Sequence, residues 1–192
     1  SLAAKERKNH KAPDPAEIDN TVESDVGLIG DAGRVLEAIM GAMRKKIADH
    51  SEWNKTLADI RRKEPMPHSS YEGEIAPWQA LEAFCEITDH KAIITTEVGQ
   101  NQMWAAQHCK VEAPRRFLSP RGLGTPGFGF PAAIGAAYAC PGQTICCVAG
   151  DGSLMMNIQE LDTCARYNIP VKIMLLNNAC LGNVRQWQYL FY

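Results

Sequence analysis

No apolar run in this 192-residue chain reaches the roughly 18 residues of a membrane-spanning helix, so no such span is expected. Charge of one sign is lacking too. Twenty basic residues against 22 acidic ones leave a formal −2, which gives no long-range field to favour nucleic acid or an anionic membrane. No Cys-x-x-Cys pair suggests zinc. The seven cysteines are odd in number, and several sit in apolar runs such as Thr144-Ile145-Cys146-Cys147-Val148. They read as buried free thiols of a reducing compartment, with Cys146 and Cys147 on opposite faces of a strand. The opening Ser-Leu-Ala-Ala-Lys-Glu-Arg-Lys lacks the apolar core of a secretory signal. The expected location is the cytoplasm, or a plastid or mitochondrial interior after loss of a transit peptide. Internal repeats and low-complexity tracts are absent as well.

What is there, 45% hydrophobic and 22% charged residues, suits one sizeable core with a smaller appendage. The first 25 or so residues, polar and carrying Pro13 and Pro15, read as a linker or the edge of another domain. Asp31 can cap a helix along which Val35, Leu36, Ile39, Met40 and Met43 recur at helical spacing. A second helix through Trp53, Leu57 and Ile60 ends in Arg61-Arg62-Lys63, a solvated C-terminus. Residues 64–76, with Pro65, Pro67 and Gly73, read as a linker. From residue 77 onward helix and strand alternate. Ala92–Thr95, Phe117-Leu118, Thr144–Ala149 and Val171–Leu176 are strands, separated by helices at 78–87, 103–106, 131–140 and 161–167. Continuous apolar strands between helices predict an α/β fold, a doubly wound parallel sheet with helices on both faces.

The run ending in Gly150-Asp151-Gly152-Ser153 places a carboxylate at the C-terminal end of a buried strand, where open parallel sheets bind ligands. Gly150 and Gly152 permit a sharp turn and close approach, while Ser153 and the next helix's N-terminus offer donors to phosphate. Twenty-four residues lie between Gly152 and Asn177, enough for one crossover helix and the next parallel strand. Asn177-Asn178 therefore reaches the same sheet edge. Carboxylate, amide and carbonyl oxygens are hard ligands that suit magnesium, which usually retains phosphate and water oxygens in its octahedron. A metal-diphosphate site is the expected chemistry.

Gly-Asp-Gly followed after some two dozen residues by Asn-Asn is the thiamine-diphosphate motif. The segments from Thr95 to Gln107, from Gly122 to Ala136 and from Leu181 to Tyr192 resemble the catalytic subunit of acetolactate synthase, also called acetohydroxyacid synthase. The resemblance begins near Asp14-Pro15-Ala16-Glu17-Ile18 and is most specific from residue 95 onward. It implies that residues 1–30 are a remnant of the central domain, 31–76 a helical segment and linker, and 77–192 the diphosphate-binding domain. It implies magnesium held by Asp151, Asn178 and the backbone carbonyl of Cys180. Val98, Gly99, Gln100 and Asn101, with Gly150, Gly152, Ser153, Leu181 and Gly182, would line the diphosphate. Gly124 and residue 126, here Pro126, would hold the aminopyrimidine. Trp187 and Asn183 would shape the acceptor pocket.

The implied parent enzyme decarboxylates pyruvate on thiamine diphosphate. It condenses the hydroxyethyl unit with pyruvate or 2-ketobutyrate, giving 2-acetolactate or 2-aceto-2-hydroxybutyrate for branched-chain amino acids. The resemblance also implies structural FAD in the central domain, a homodimer or tetramer, and a possible regulatory subunit. A glyoxylate-type carboligase or a non-catalytic cofactor-binding fragment are the alternatives. No catalytic residue is assigned within the chain, because the family's catalytic glutamate belongs to an N-terminal domain whose motif is not found here. The chain alone is expected to be inactive.

Three positions depart from the family pattern. Pro126 stands where a methionine donates its backbone N–H to the pyrimidine, and proline has none to give. Asn101 replaces a common histidine but keeps an amide donor. Asn183 replaces a common apolar residue. The five histidines share no ligand spacing and read as surface or internally satisfied side chains. Arg115-Arg116 reads as a solvated strand edge, and Phe128 and Phe130 as sheet–helix packing.

Overall fold

The computed structural model describes residues 5–43, 49–65, 68 and 72–192, which divide into two units, 1–65 and 66–192. Part of the 64–76 stretch read as a linker lies outside the described residues.

In the first unit, β1 (Asn9–Ala12) pairs in parallel with β2 (Val26–Ile29), Asn9 opposite Val26 and Ala12 opposite Ile29. Of the two readings of the first 25 residues, a linker or the edge of another domain, the strand pair departs from the linker. β1 shows no apolar alternation, and only Ala12 is buried. Its partner lies on the far side of a turn in which Asp14 caps a short 3-10 helix, Pro15–Glu17. Local sequence carries little signal for a strand that forms through such a distant pairing. Next come α1 (Ala32–Ala42), capped by the Asp31 carboxylate on the Arg34 N–H, and α2 (Ser51–Lys63). Neither buries a residue within this unit, so Leu36, Met40 and Trp53 stay exposed.

The second unit opens with α3 (Pro77–Ile87), where proline occupies the first turn and Gln79 accepts from the Ala76 N–H. β3 (Ile93–Thr96), α4 (Gln100–His108), β4 (Phe117–Leu118), α5 (Gly129–Ala139) and β5 (Ile145–Gly150) follow. A four-residue α6 (Asp151–Leu154), α7 (Glu160–Tyr167), β6 (Val171–Leu176) and α8 (Gly182–Phe191) complete the unit. Asn168, in the left-handed region at φ 52°, ends α7.

All described strand pairs of this unit are parallel, in the order β4-β3-β5-β6. Ile94 faces Cys146 in the ladder, and Cys147 faces Ile173. The α/β parallel sheet expected from the sequence is the observed architecture. Each face carries its own core. Phe130, Ala133 and Ile134 of α5 pack on Ile145, Cys147 and Ala149. On the other face Leu81 and Cys85 of α3 and Ala105 of α4 pack on Ile94, Cys146 and Val148. Cys146 and Cys147 thus point to opposite cores, and all seven cysteines are free.

The chain runs from β3 outward to β4, then returns to place β5 on the other side of β3. That reversal is a topological switch point, where the connections leaving adjacent strand ends diverge and leave a crevice.

Candidate functional site

Three segments leave the C-terminal ends of adjacent parallel strands. Glu97-Val98-Gly99 follows β3, Asp151 follows β5, and Asn177-Asn178 follows β6. Because Thr96 is in register with Val148, and Gly150 with Leu176, all three emerge at one sheet edge. Gly99, at φ 134°, turns the chain from β3 into α4 in a conformation that side-chain-bearing residues rarely adopt.

The cleft so formed is lined by Val98, Gly99, Gln100, Asn101, Pro126, Gly150, Asp151, Gly152, Ser153, Asn178, Cys180, Leu181, Gly182 and Asn183. These are residues named from the sequence. Trp104, Met156, Leu176 and Val184 also line it and were not singled out as site residues. Trp104 was detectable, since it lies four residues after Gln100 and so on the same helix face. Gly124 and Trp187 lie outside the lining. Gly124, at φ 63°, donates to the Pro120 carbonyl at 2.9 Å. Trp187 is 65% exposed and meets Phe191 edge-on at 5.6 Å.

Inside the cleft the polar groups are unevenly satisfied. Asn178 donates through Nδ2 to Gln100 Oε1 at 3.0 Å, and its Oδ1 accepts from the Cys180 N–H at 3.3 Å. Gln100 in turn donates to Gln186. Asn177 holds the turn through the Ala179 N–H, with Ala179 at φ 54°. Gly152 allows close approach: a Cβ there would sit 2.5 Å from Leu181 Cδ2. Asn101 is 3% exposed, yet neither its Nδ2 nor its Oδ1 has a hydrogen-bond partner. A buried amide without partners costs about 1–3 kcal/mol, and Asn101 Nδ2 lies 3.2 Å from where a Cβ on Gly150 would stand. An oxygen-rich ligand beside Gly150 would satisfy it. Asn183 Oδ1 is likewise buried without a partner.

Glu97 anchors the opposite wall. Its side chain is fully buried, accepting from the Gly127 N–H at 2.8 Å and the Phe130 N–H at 3.0 Å. Burial pushes its carboxyl above the usual carboxylate range, and the backbone donors from Phe130, Gly127 and Gly129 only partly oppose that. The carboxylate thereby ties the Pro126-Gly127-Phe128 turn and the start of α5 to the end of β3. Gly129 is required at this junction, since a Cβ there would lie 2.6 Å from Glu97 N and Thr96 C. Glu97 lies within the Thr95–Gln107 segment, whose pattern assigns it no role. A carboxylate directly after a buried strand was the available signal.

Among the other residues weighed from the sequence, Arg116 has hydrogen-bond partners while His90 Nδ1 is buried without one. Arg116 donates to the Lys91 carbonyl and to Gln143 Oε1. Phe130 is fully buried, while Phe128 is 38% exposed.

A crevice at the switch point, hard oxygen donors on adjacent strand ends and an unpartnered buried amide are features that a diphosphate-type cofactor would suit. The family model "Thiamine pyrophosphate enzyme, C-terminal TPP binding domain" matches residues 97–192, and the chain belongs to that family. Among its relatives, the acetolactate synthase large subunit of Buchnera aphidicola subsp. Schizaphis graminum is 39% identical, over 95% of this chain and 32% of that protein. Acetolactate synthase 2, chloroplastic, of Brassica napus is 42% identical, over 100% and 30%. The Escherichia coli (strain K12) acetolactate synthase isozyme 3 large subunit is 39% identical, over 93% and 32%. The chain spans about a third of the length of these relatives. No helix among the described residues is long and apolar enough to cross a membrane.

Proposed function

We propose that this chain is the diphosphate-binding part of an acetolactate synthase catalytic subunit. The observation that carries the reading is the cleft at the β3/β5 switch point, with Asp151 and Asn178 at its strand ends and the unpartnered Asn101 amide inside it. Asp151, Asn178 and the Cys180 carbonyl would hold Mg2+, an all-oxygen set of the kind that ion prefers. Val98, Gly99, Gln100, Asn101, Gly150, Gly152, Ser153, Leu181 and Gly182 would receive the diphosphate. Gly124 and Pro126 would border the pyrimidine, and Asn183 and Trp187 the 2-keto acid. Bound thiamine diphosphate supplies the electron sink that lets pyruvate lose CO2. The chain's own residues bind it and orient it. Asn178 would face the ion through Oδ1, which accepts from the Cys180 N–H at 3.3 Å, while its Nδ2 stays bonded to Gln100.

In this reading the whole protein joins the two-carbon unit to pyruvate or 2-ketobutyrate, a step of branched-chain amino acid synthesis. Other parts of it would supply the catalytic glutamate, an FAD site, homodimer or tetramer contacts and a surface for a regulatory subunit. Its setting would be the cytoplasm, or a plastid or mitochondrion. Pro126 on the cleft wall favours a second reading, a cofactor-binding domain with no turnover, because the pyrimidine loses a backbone donor there.

Two measurements test these readings. Calorimetric titration of thiamine diphosphate with Mg2+ should give binding that Asp151→Ala abolishes; binding indifferent to Asp151→Ala would sink the site assignment. The full-length protein given pyruvate and 2-ketobutyrate should yield both acetohydroxy acids. Turnover of glyoxylate alone would point to a different carboligase, and no turnover by a cofactor-loaded protein would favour the second reading.

A further inference from the structure

Away from the cleft, three metal-ligating side chains of the second unit converge. His108 closes α4 and is 7% exposed. Its Nδ1 lies 3.1 Å from Glu82 Oε1 on the neighbouring α3. His68 stacks on Trp78, ring centroids 4.4 Å apart and planes 17° from parallel, and its ring lies 5.5 Å from that of His108. One ligand atom from each of His68, Glu82 and His108 falls within 4.8 Å of the other two.

We propose that His68, Glu82 and His108 form a binding site for a borderline divalent transition-metal ion, with Zn2+ as its occupant. Tetrahedral zinc with bonds of about 2.1 Å sets its ligand atoms roughly 3.4 Å apart. The 3.1 Å pair is close to that spacing, and a separation of 4.8 Å would have to close by about 1.4 Å. Two imidazoles and one carboxylate suit zinc rather than magnesium, which favours oxygen throughout. They leave a fourth position for water.

The surroundings fit a cation as well. Glu82 has no lysine or arginine partner among the described residues. Its side chain is 38% exposed and His68 is exposed, which gives the ion an entry path from solvent. The site is chemically separate from the Asp151–Asn178 cleft, whose donors are oxygens. Its consequence is local: a bound ion would fasten residue 68 to both α3 and α4.

The test is Zn2+ titration of the chain by calorimetry, with Co2+ absorption reporting the coordination geometry. One equivalent should bind, and Co2+ should give the intense visible bands of a tetrahedral site. His68→Ala and Glu82→Gln, both at accessible positions, should each weaken Zn2+ binding at least about tenfold with an unchanged circular dichroism spectrum. Asp151→Ala should leave Zn2+ binding intact. The proposal is overturned by no stoichiometric binding, by affinity unaffected in both His68→Ala and Glu82→Gln, or by loss of zinc in Asp151→Ala.

Discussion

Replacing Glu97 tests how the wall of the cleft is held. Its carboxylate accepts from two buried backbone N–H groups, at 2.8 Å from Gly127 and 3.0 Å from Phe130. Glu97→Ala leaves both donors without an acceptor, at about 1–3 kcal/mol each, while relieving the burial of a charged group. The net loss should be about 2–4 kcal/mol. Glu97→Gln keeps one carbonyl acceptor and turns an NH2 toward the other donor, so it should lose about half as much. Urea unfolding of the chain, with an unchanged denaturant slope, measures both.

The pH dependence has a fixed sign. Burial raises the Glu97 carboxyl above its ordinary value, so the folded state holds a proton that the unfolded state has released across the intervening window. Its contribution is therefore fully present below the ordinary carboxylate range and falls as pH rises toward the raised value. The stability gap between the parent and Glu97→Gln should narrow over that window. A Glu97→Gln variant more stable than the parent at acid pH, or a gap that widens with rising pH, would refute the reasoning.

Three further outcomes are expected. Gly129→Ala drives a Cβ against backbone atoms of Thr96 and Glu97 at 2.6 Å, and thermal melting should show a loss of about 1–3 kcal/mol. Asn101→Ala removes a buried amide without partners, so the ligand-free chain should gain about 1 kcal/mol while titration shows weaker thiamine diphosphate binding; a stability loss with unchanged affinity would make Asn101 structural only. Pro126→Met restores a backbone N–H on the cleft wall, and cofactor affinity should rise by about tenfold, with no change counting against a pyrimidine contact there.

Much of the second unit was legible because each strand advertises itself. Ile93–Thr96 and Ile145–Ala149 are buried along their whole length, which a continuous apolar run records directly. The cleft was legible for a related reason. Its polar residues sit just past strand ends, so the Gly150-Asp151-Gly152 to Asn177-Asn178 spacing already implied a shared edge. What escaped depended on tertiary contact. β1 becomes a strand only through pairing across an intervening turn. Glu97 looked like one more motif letter until its two backbone donors were placed. His68 and His108, forty residues apart, share no spacing; the packing of α3 against α4 brings His108 to Glu82, and His68 joins them by stacking on Trp78. Trp187, named for a pocket, lies exposed beyond the lining.

Cys146 and Cys147, side by side on β5, each have a thiol that burial pushes up to about 12. Thiolate is the form that alkylating reagents capture, so in the folded chain both are chemically silent. They become reactive only when the strand parts from its neighbours on either face. The chain thus carries its own unfolding clock at the strand that delivers Asp151, and a ligand gripping that end should slow it.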